Sequence, residues 1–269
     1  MAEIRSYITG HCSQLAGMAL KGAGWSKVRF PARAHLVAVK KRLWLFDTGY
    51  SGHLGTAAQG IFSLYTKVTP VHFEDNDALA RQLAREGIET ADFRGIIISH
   101  FHADHIAGLR DFPEPPLYCS AESWSHVRGL SGFRALRQAF IPKLLPDDFE
   151  QRLSHVDQFH EHMLPLELSP FTRGWELPDS DGEVFLVALP GHAKGQLGAF
   201  VHTASGWVLL AADAAWTPHN YRELRGPALL ARLVIHDYKQ FTHTLQLLHG
   251  IYANGAATIL LCHENEEAQ

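Results

Sequence analysis

The sequence predicts an α/β (α+β) fold in which two β-sheets are covered by outer helices. Three observations carry that reading: short aliphatic and β-branched runs recur along the chain, helical spacing separates them, and the order of strands, then helix, then strand repeats in each half. The 269 residues, 46% hydrophobic, suffice for a sizeable core and fit one large domain or two small ones. No repeat, low-complexity tract or Pro/Gly/Ser-rich linker divides the sequence, so a single domain over residues 1–269 is expected.

The elements follow in order. Apolar stretches at 36–39 and 43–46 flank Lys40, Lys41 and Arg42, which gives a hairpin with a charged tip. Its second strand ends at Asp47, Thr48 and Gly49. Leu79 and Leu83 set a helical spacing over 77–86, with Gly87 as the stop. Ile96, Ile97 and Ile98 make 93–99 a strand of the kind buried on both faces. Further strands are predicted at 184–189, 197–202, 207–212 and 257–262, and a helix over 237–252 that ends before Asn254 and Gly255.

Residues 131–163 have a different texture. Phe133, Leu136, Phe140, Leu144, Leu145, Phe149, Leu153, Val156 and Phe159 recur at roughly helical intervals, interrupted by Pro142 and Pro146. Two or three short amphipathic helices are expected there, either packed on a sheet or forming a lid over a substrate pocket. The run from Ile61 to Tyr65 either lines a pocket for an acyl chain or packs as core.

Composition narrows the partners. A net charge of -4, from 24 basic and 28 acidic residues, leaves no electrostatic footprint for nucleic acid or an anionic membrane, so a small molecule is the expected partner of a monomer or homodimer. Cys12, Cys119 and Cys262 are odd in number and widely spaced, as reduced thiols of a cytoplasmic protein would be. The first residues lack the apolar core of a signal peptide, and no run has the length of a membrane span.

The 18 histidines invite a search for metal ligands. The strongest cluster is Ser99-His100-Phe101-His102-Ala103-Asp104-His105, directly after the predicted buried strand. His100 and His102, two apart in extended chain, point the same way and can grip one metal, while Asp104 and His105 turn toward a second. Four residues do not complete two sites. His192, Asp213 and His263 each stand where a predicted strand runs out, the place where loops carry function on a rigid scaffold, and the Asp213 carboxylate is suited to bridge two ions.

This pattern resembles the metallo-β-lactamase fold superfamily across nearly the whole chain, which implies a four-layer αββα sandwich. By that resemblance His100, His102 and His192 hold a first metal, Asp104, His105 and His263 a second, and Asp213 bridges. Asp47 would orient the histidine loop from behind the ligands. Two divalent ions are implied, zinc first, with manganese, iron or cobalt as other candidates for mixed nitrogen and oxygen sites. Two such ions sharing a water lower its pKa to about neutrality, and Asp104 is placed to take or relay a proton. No GxSxG motif is present.

Several branches fit poorly. Zinc β-lactamases use cysteine where this chain has Asp213, and many carry arginine in place of His105. Glyoxalase II-type enzymes need a helical region after the last histidine, and only six residues follow His263 here. The nuclease branches need a basic surface, and flavodiiron proteins need a glutamate in the cluster. The sequence is most similar to the branch of N-acyl-homoserine lactonases and 4-pyridoxolactonase, which implies opening of a lactone or related ester. A thioesterase or other ester hydrolase is the alternative, and a non-catalytic sensor a remoter one. One departure matters: the acyl-homoserine lactonases place a tyrosine three residues after the bridging aspartate, where this chain has Trp216. His219, Tyr221 and Tyr50 are the candidates to replace it at the substrate. Lys194 either meets a substrate carboxylate or is a solvated surface lysine, and Cys262 reads as an apolar strand end.

Overall fold

The computed structural model describes residues 1–264. Its strands are β1 (Ala2–Leu15), β2 (Lys27–Val39), β3 (Arg42–Phe46), β4 (Val71–His72), β5 (Phe93–Ile97), β6 (Leu117–Cys119) and β7 (Leu153–His155) in the first part. The second part contributes β8 (Glu161–Met163), β9 (Arg173–Glu176), β10 (Val184–Ala188), β11 (Leu197–Thr203), β12 (Gly206–Leu210) and β13 (Thr258–Leu260). Hydrogen bonding runs in the order β7-β6-β5-β3-β2-β1-β11-β10-β9-β8, with β12 and β13 extending from β11. The two parts are joined by one parallel residue pair, Ala2 with Thr203.

Side-chain alternation turns this ribbon into layers, because successive residues of a strand face opposite sides. Leu36, Leu45, Ile96 and Ile98 point into one apolar cluster beneath the helices of the first half. Phe185, Val187, Phe200 and Leu209 point into another, against Phe241, Leu245 and Leu248 of the helix Tyr238–Ala253. The intervening residues, Val37, Trp44, Phe46 and Ile97 from one half and Val184, Leu186, Ala199 and Leu210 from the other, form a third cluster. Three apolar layers separate four structural ones, so the αββα sandwich is observed.

The hairpin of β2 and β3 turns at Lys40, which takes a positive φ of 57°. Strand β2 is longer than the predicted 36–39, and the long pairing of β1 with β2 carries a bulge between Ile8 and His11. The predicted helices appear as Leu79–Arg85 and Tyr238–Ala253, the latter capped by the Asp237 carboxylate, which accepts from the backbone N–H groups of Lys239 and Gln240.

Residues 131–163 correct the expectation of helices alone. Helical turns occur at Gly132–Leu136, Pro142–Leu144 and Phe149–Arg152, but β7 and β8 lie in the same segment, where they extend the two sheets. Phe140, Leu144 and Phe149 are core residues, packed with Phe101 and Trp124. Their apolar periodicity reflects packing of an outer layer. The stretch around Phe133 to Ala139 borders the cavity that His102 and His192 also line.

Candidate metal centre

Strands β3, β5, β10, β12 and β13 deliver Asp47, the 99–105 segment, His192, Asp213 and His263 just beyond their C-terminal ends. Two glycines make the loops possible. Gly49 has φ +68°, and a Cβ there would sit 1.8 Å from Thr9 Oγ1. At Gly191, with φ +129°, a Cβ would lie 2.1 Å from the backbone nitrogen of Phe241. The His192 loop is thus pressed against the start of the Tyr238–Ala253 helix, where Thr244 Oγ1 also donates to Pro190 O at 2.6 Å.

Hydrogen bonds behind the histidine cluster fix which ring nitrogen faces forward. His105 Nδ1 donates to Asp47 Oδ2 at 2.7 Å, which leaves His105 Nε2 buried without a hydrogen-bond partner. Asp47 also accepts from Ser99 N at 2.8 Å and from Ser99 Oγ at 2.7 Å. Ser99 Oγ in turn lies 3.0 Å from His100 Nδ1, and His100 Nε2 is likewise buried and unpartnered. His263 Nδ1 donates to Pro31 O at 2.8 Å and turns Nε2 inward. Such outer contacts orient imidazole ligands and raise their basicity.

The inward atoms form two groups. His100, His102 and His192 each offer one ring nitrogen within 4.8 Å of the others, and His192 Nε2 stands 3.0 Å from His102 Nδ1. His105, Asp213, Cys262 and His263 form the second group within the same limit. Asp213 spans both: Oδ2 is 3.3 Å from His192 Nε2 and 3.1 Å from His263 Nε2, and Oδ1 is 3.3 Å from His105 Nε2. Asp104 Oδ2 is 3.4 Å from His263 Nε2 and 3.9 Å from His105 Nε2.

Burial sets the protonation of the first group. It lowers His100 and His192 well below the ordinary imidazole range and pushes His102 down to about 4, so these rings keep free lone pairs at neutral pH. In the second group burial also opposes charge but is outweighed. Cys262, Asp47 and Asp213 raise His105, while Asp213 and Cys262 raise His263. Burial works against the Asp213 carboxylate, yet His263, His105 and His192 hold it well below the carboxylate range. Converging lone pairs, orphaned buried nitrogens and a carboxylate between imidazoles form a donor set that fits divalent cations preferring mixed nitrogen and oxygen ligands.

Of the residues considered for substrate contact, Trp216 is at the centre, its indole Nε1 donating to Asp213 Oδ2 at 3.2 Å. His219 is not: it is half-exposed and pairs with Glu223 at 2.8 Å. Tyr221 is buried beside Tyr252 and Arg222 and borders a separate cavity, because the turn at Pro218–Arg222 carries it to the back of the loop. Lys194 sits at the surface, 3.8 Å from Glu122. Cys262 is closer to the site than a strand-end residue was expected to be. Tyr65, read from sequence only as part of a run that lines a pocket or packs as core, borders two cavities at the centre, and its hydroxyl lies 3.5 Å from that of Tyr50. The run from Ile61 to Tyr65 held a signal, since one phenol closes an otherwise apolar stretch.

Two cavities adjoin this cluster. One, of about 560 Å³, is bordered by Leu64, Phe133, Leu136, Val234 and Ile235 along with His102 and His192. A smaller one, of about 200 Å³, reaches Asp104, Asp213, Trp216 and His263.

Residues 29–251 match the Metallo-beta-lactamase superfamily. The chain belongs to that superfamily. Among its relatives is a "Probable metallo-hydrolase" of Mycobacterium tuberculosis, 31% identical over 66% of this chain, of whose length this chain spans 55%. The N-acyl homoserine lactonase AttM of Azorhizobium caulinodans is 24% identical, over 87% of this chain and 85% of its own. A solved N-acyl homoserine lactone hydrolase, with N-hexanoyl-L-homoserine bound at its catalytic metal centre, shares the fold with a TM-score of 0.71 at 19% identity, covering 98% of this chain and 94% of its own. The dizinc lactonase AidC does so with a TM-score of 0.69 at 16% identity, over 98% and 88%. The similarities thus run to metallo-hydrolases and to N-acyl homoserine lactonases, and the chain spans about half the length of the first of these relatives. Among the described residues no helix is long and apolar enough to cross a membrane.

Proposed function

We propose that this chain is a dinuclear-metal hydrolase that opens a lactone, or a related carboxylic ester, of a small molecule with an apolar portion. The observation that carries the reading is the position of Asp213, with one oxygen toward His105 and the other toward His192 and His263. A carboxylate so placed would hold two cations together, with His100, His102 and His192 completing one site and Asp104, His105 and His263 the other. Ions held there, zinc foremost, would supply Lewis acidity and water made acidic enough to react near neutral pH.

The protein's own groups do the rest. Asp47 and Ser99 hold the ligand loop against the strand ends. Asp104, which borders the smaller cavity, takes the proton released on attack and passes it toward the leaving oxygen. Leu64, Phe133, Leu136 and Val234 wall the larger cavity with apolar surface, which receives a chain or ring and keeps bulk water from the reacting carbonyl. The three cysteines, buried and free, support a reducing compartment, and we assign the protein to the cytoplasm as one domain.

A hydrolysis panel on metal-loaded protein tests the reading, with aliphatic lactones, thioesters and simple esters compared by kcat/KM. The lactones are expected to lead. A thioester preferred by more than about tenfold, or 1.4 kcal/mol in transition-state binding, would move the assignment to a thioesterase.

A further inference from the structure

We infer that the Tyr65 hydroxyl is a hydrogen-bond donor to the substrate carbonyl oxygen as that oxygen takes on negative charge. The inference rests on the hydrolase reading above and adds a residue to it.

The argument begins with what borders the site. The larger and the smaller cavity share seven lining residues, and the ligands His102 and His192 are two of them. The other polar side chains common to both are Tyr65 and Thr69. The Thr69 hydroxyl lies half-buried and receives the Gln14 amide at 3.4 Å. Tyr65 is buried and stands where the cavity for the apolar portion opens into the cavity that reaches Asp104, Asp213 and His263. A carbonyl carried by an apolar group in the first cavity and directed at the metal ligands must pass it.

Tyr50 prepares that hydroxyl. Its ring is fully buried, and its own hydroxyl is 3.5 Å from Tyr65 Oη. If Tyr50 donates to Tyr65, the Tyr65 proton is left to point into the cavity. Burial raises both phenols well above their ordinary value, so both stay protonated at neutral pH. A neutral phenol cannot act as a base here; it serves as a fixed dipole, and its O–H bond stays intact through the reaction. Trp216 does not compete for the role, because its indole N–H is committed to Asp213 Oδ2. A preorganised donor is most effective where charge develops, in a site from which water is largely excluded.

The experiment compares the metal-loaded wild-type protein with Tyr65→Phe, which keeps the ring and its packing. On the best substrate of the panel kcat is expected to fall about 100-fold, the loss typical of one oxyanion donor, with KM changed less than about threefold. The inhibition constant of a tetrahedral alkylphosphonate carrying the same apolar group is expected to rise by a similar factor, while metal content and melting temperature stay at wild-type values. Tyr50→Phe is the second variant and loses about tenfold or less, because it removes the support and not the donor. The assignment is overturned if Tyr65→Phe keeps both kcat and phosphonate affinity within about threefold, or if its losses track lost metal. It is also overturned if Tyr50→Phe is the more damaging of the two. A wild-type protein that hydrolyses nothing in the panel would defeat the proposed function by itself, and the Tyr65 assignment would then stand or fall on phosphonate affinity alone.

Discussion

The Asp47 carboxylate and the His105 imidazole meet at 2.7 Å, both fully removed from solvent, and Ser99 closes the same carboxylate from the other side. Asp47 itself sits at φ +61°, a conformation the loop holds because Thr48 N and Thr48 Oγ1 both donate to His105 O. The carboxylate therefore fixes the tautomer of His105, and with it the direction of the lone pair offered to a metal. Asp47→Asn keeps the shape but loses the charge and one acceptor. Metal affinity is expected to fall about 10- to 100-fold, read by competition with a chromophoric chelator. An unchanged dissociation constant would show that His105 is held in place by other contacts.

Metal content is the most direct check on the centre. Elemental analysis of gently purified protein is expected to give close to two transition-metal ions per chain. Asp213→Ala should drop this toward one and cut kcat by at least about 100-fold, since two cations then face each other without the shared carboxylate. Full metal content with near-normal turnover in that variant would contradict the bridging role.

Phe140 and Phe133 separate packing from specificity. Phe140 is 2% exposed, and Phe140→Ala is expected to cost about 3–5 kcal/mol of stability, depressing activity on all substrates alike. Phe133 is 65% exposed and borders the larger cavity. Phe133→Ser should leave the melting temperature unchanged and raise KM only for substrates with a long apolar portion. Equal effects on short and long substrates would remove Phe133 from the binding wall.

His35 gives the acid response a specific source. It lies buried on β2, 2.8 Å from Ser6 Oγ, and burial pushes its imidazole down to about 3. Unfolded, the same ring titrates near about 6.5. Below that pH the unfolded chain binds a proton that the native chain refuses, so stability falls as the pH drops from about 6.5 toward 3. His35→Gln removes this contribution. The gap between urea midpoints at pH 7 and pH 4.5 should narrow in the variant, and an equal gap would show that His35 does not titrate on unfolding.

Much of the cluster was legible because the ends of rigid strands bring its residues together. Ile96, Ile97 and Ile98 announce a buried strand, and the residues after it are presented at one edge whatever the details of the loop. His192, Asp213 and His263 obey the same rule. Tyr65 was harder to read, since its place at the centre depends on how the 53–68 helical turns pack over the strand ends. Cys262 was obscured by a sound prior, because a small thiol ending a strand is usually core. The periodicity of 131–163 was ambiguous for a physical reason: an amphipathic stripe looks the same against a sheet as over a pocket. His219 and Tyr221 follow Asp213 closely in sequence, but the chain turns away at Pro218 and takes both out of reach.

The two halves of the molecule are stitched along their sheets by the single pair Ala2 and Thr203, whereas the donor atoms are divided between them, four residues before the seam and three after it. An ion gripped by both sets is a crosslink whose strength is set by supply. Its contribution grows as RT ln(1 + [M]/Kd), about 2.7 kcal/mol when free metal stands at a hundred times its dissociation constant. The cohesion of the sandwich is then not a fixed property of its apolar layers. On the proposed reading it would rise and fall with the free metal concentration around the protein, and a starved chain would be both an idle catalyst and a looser body.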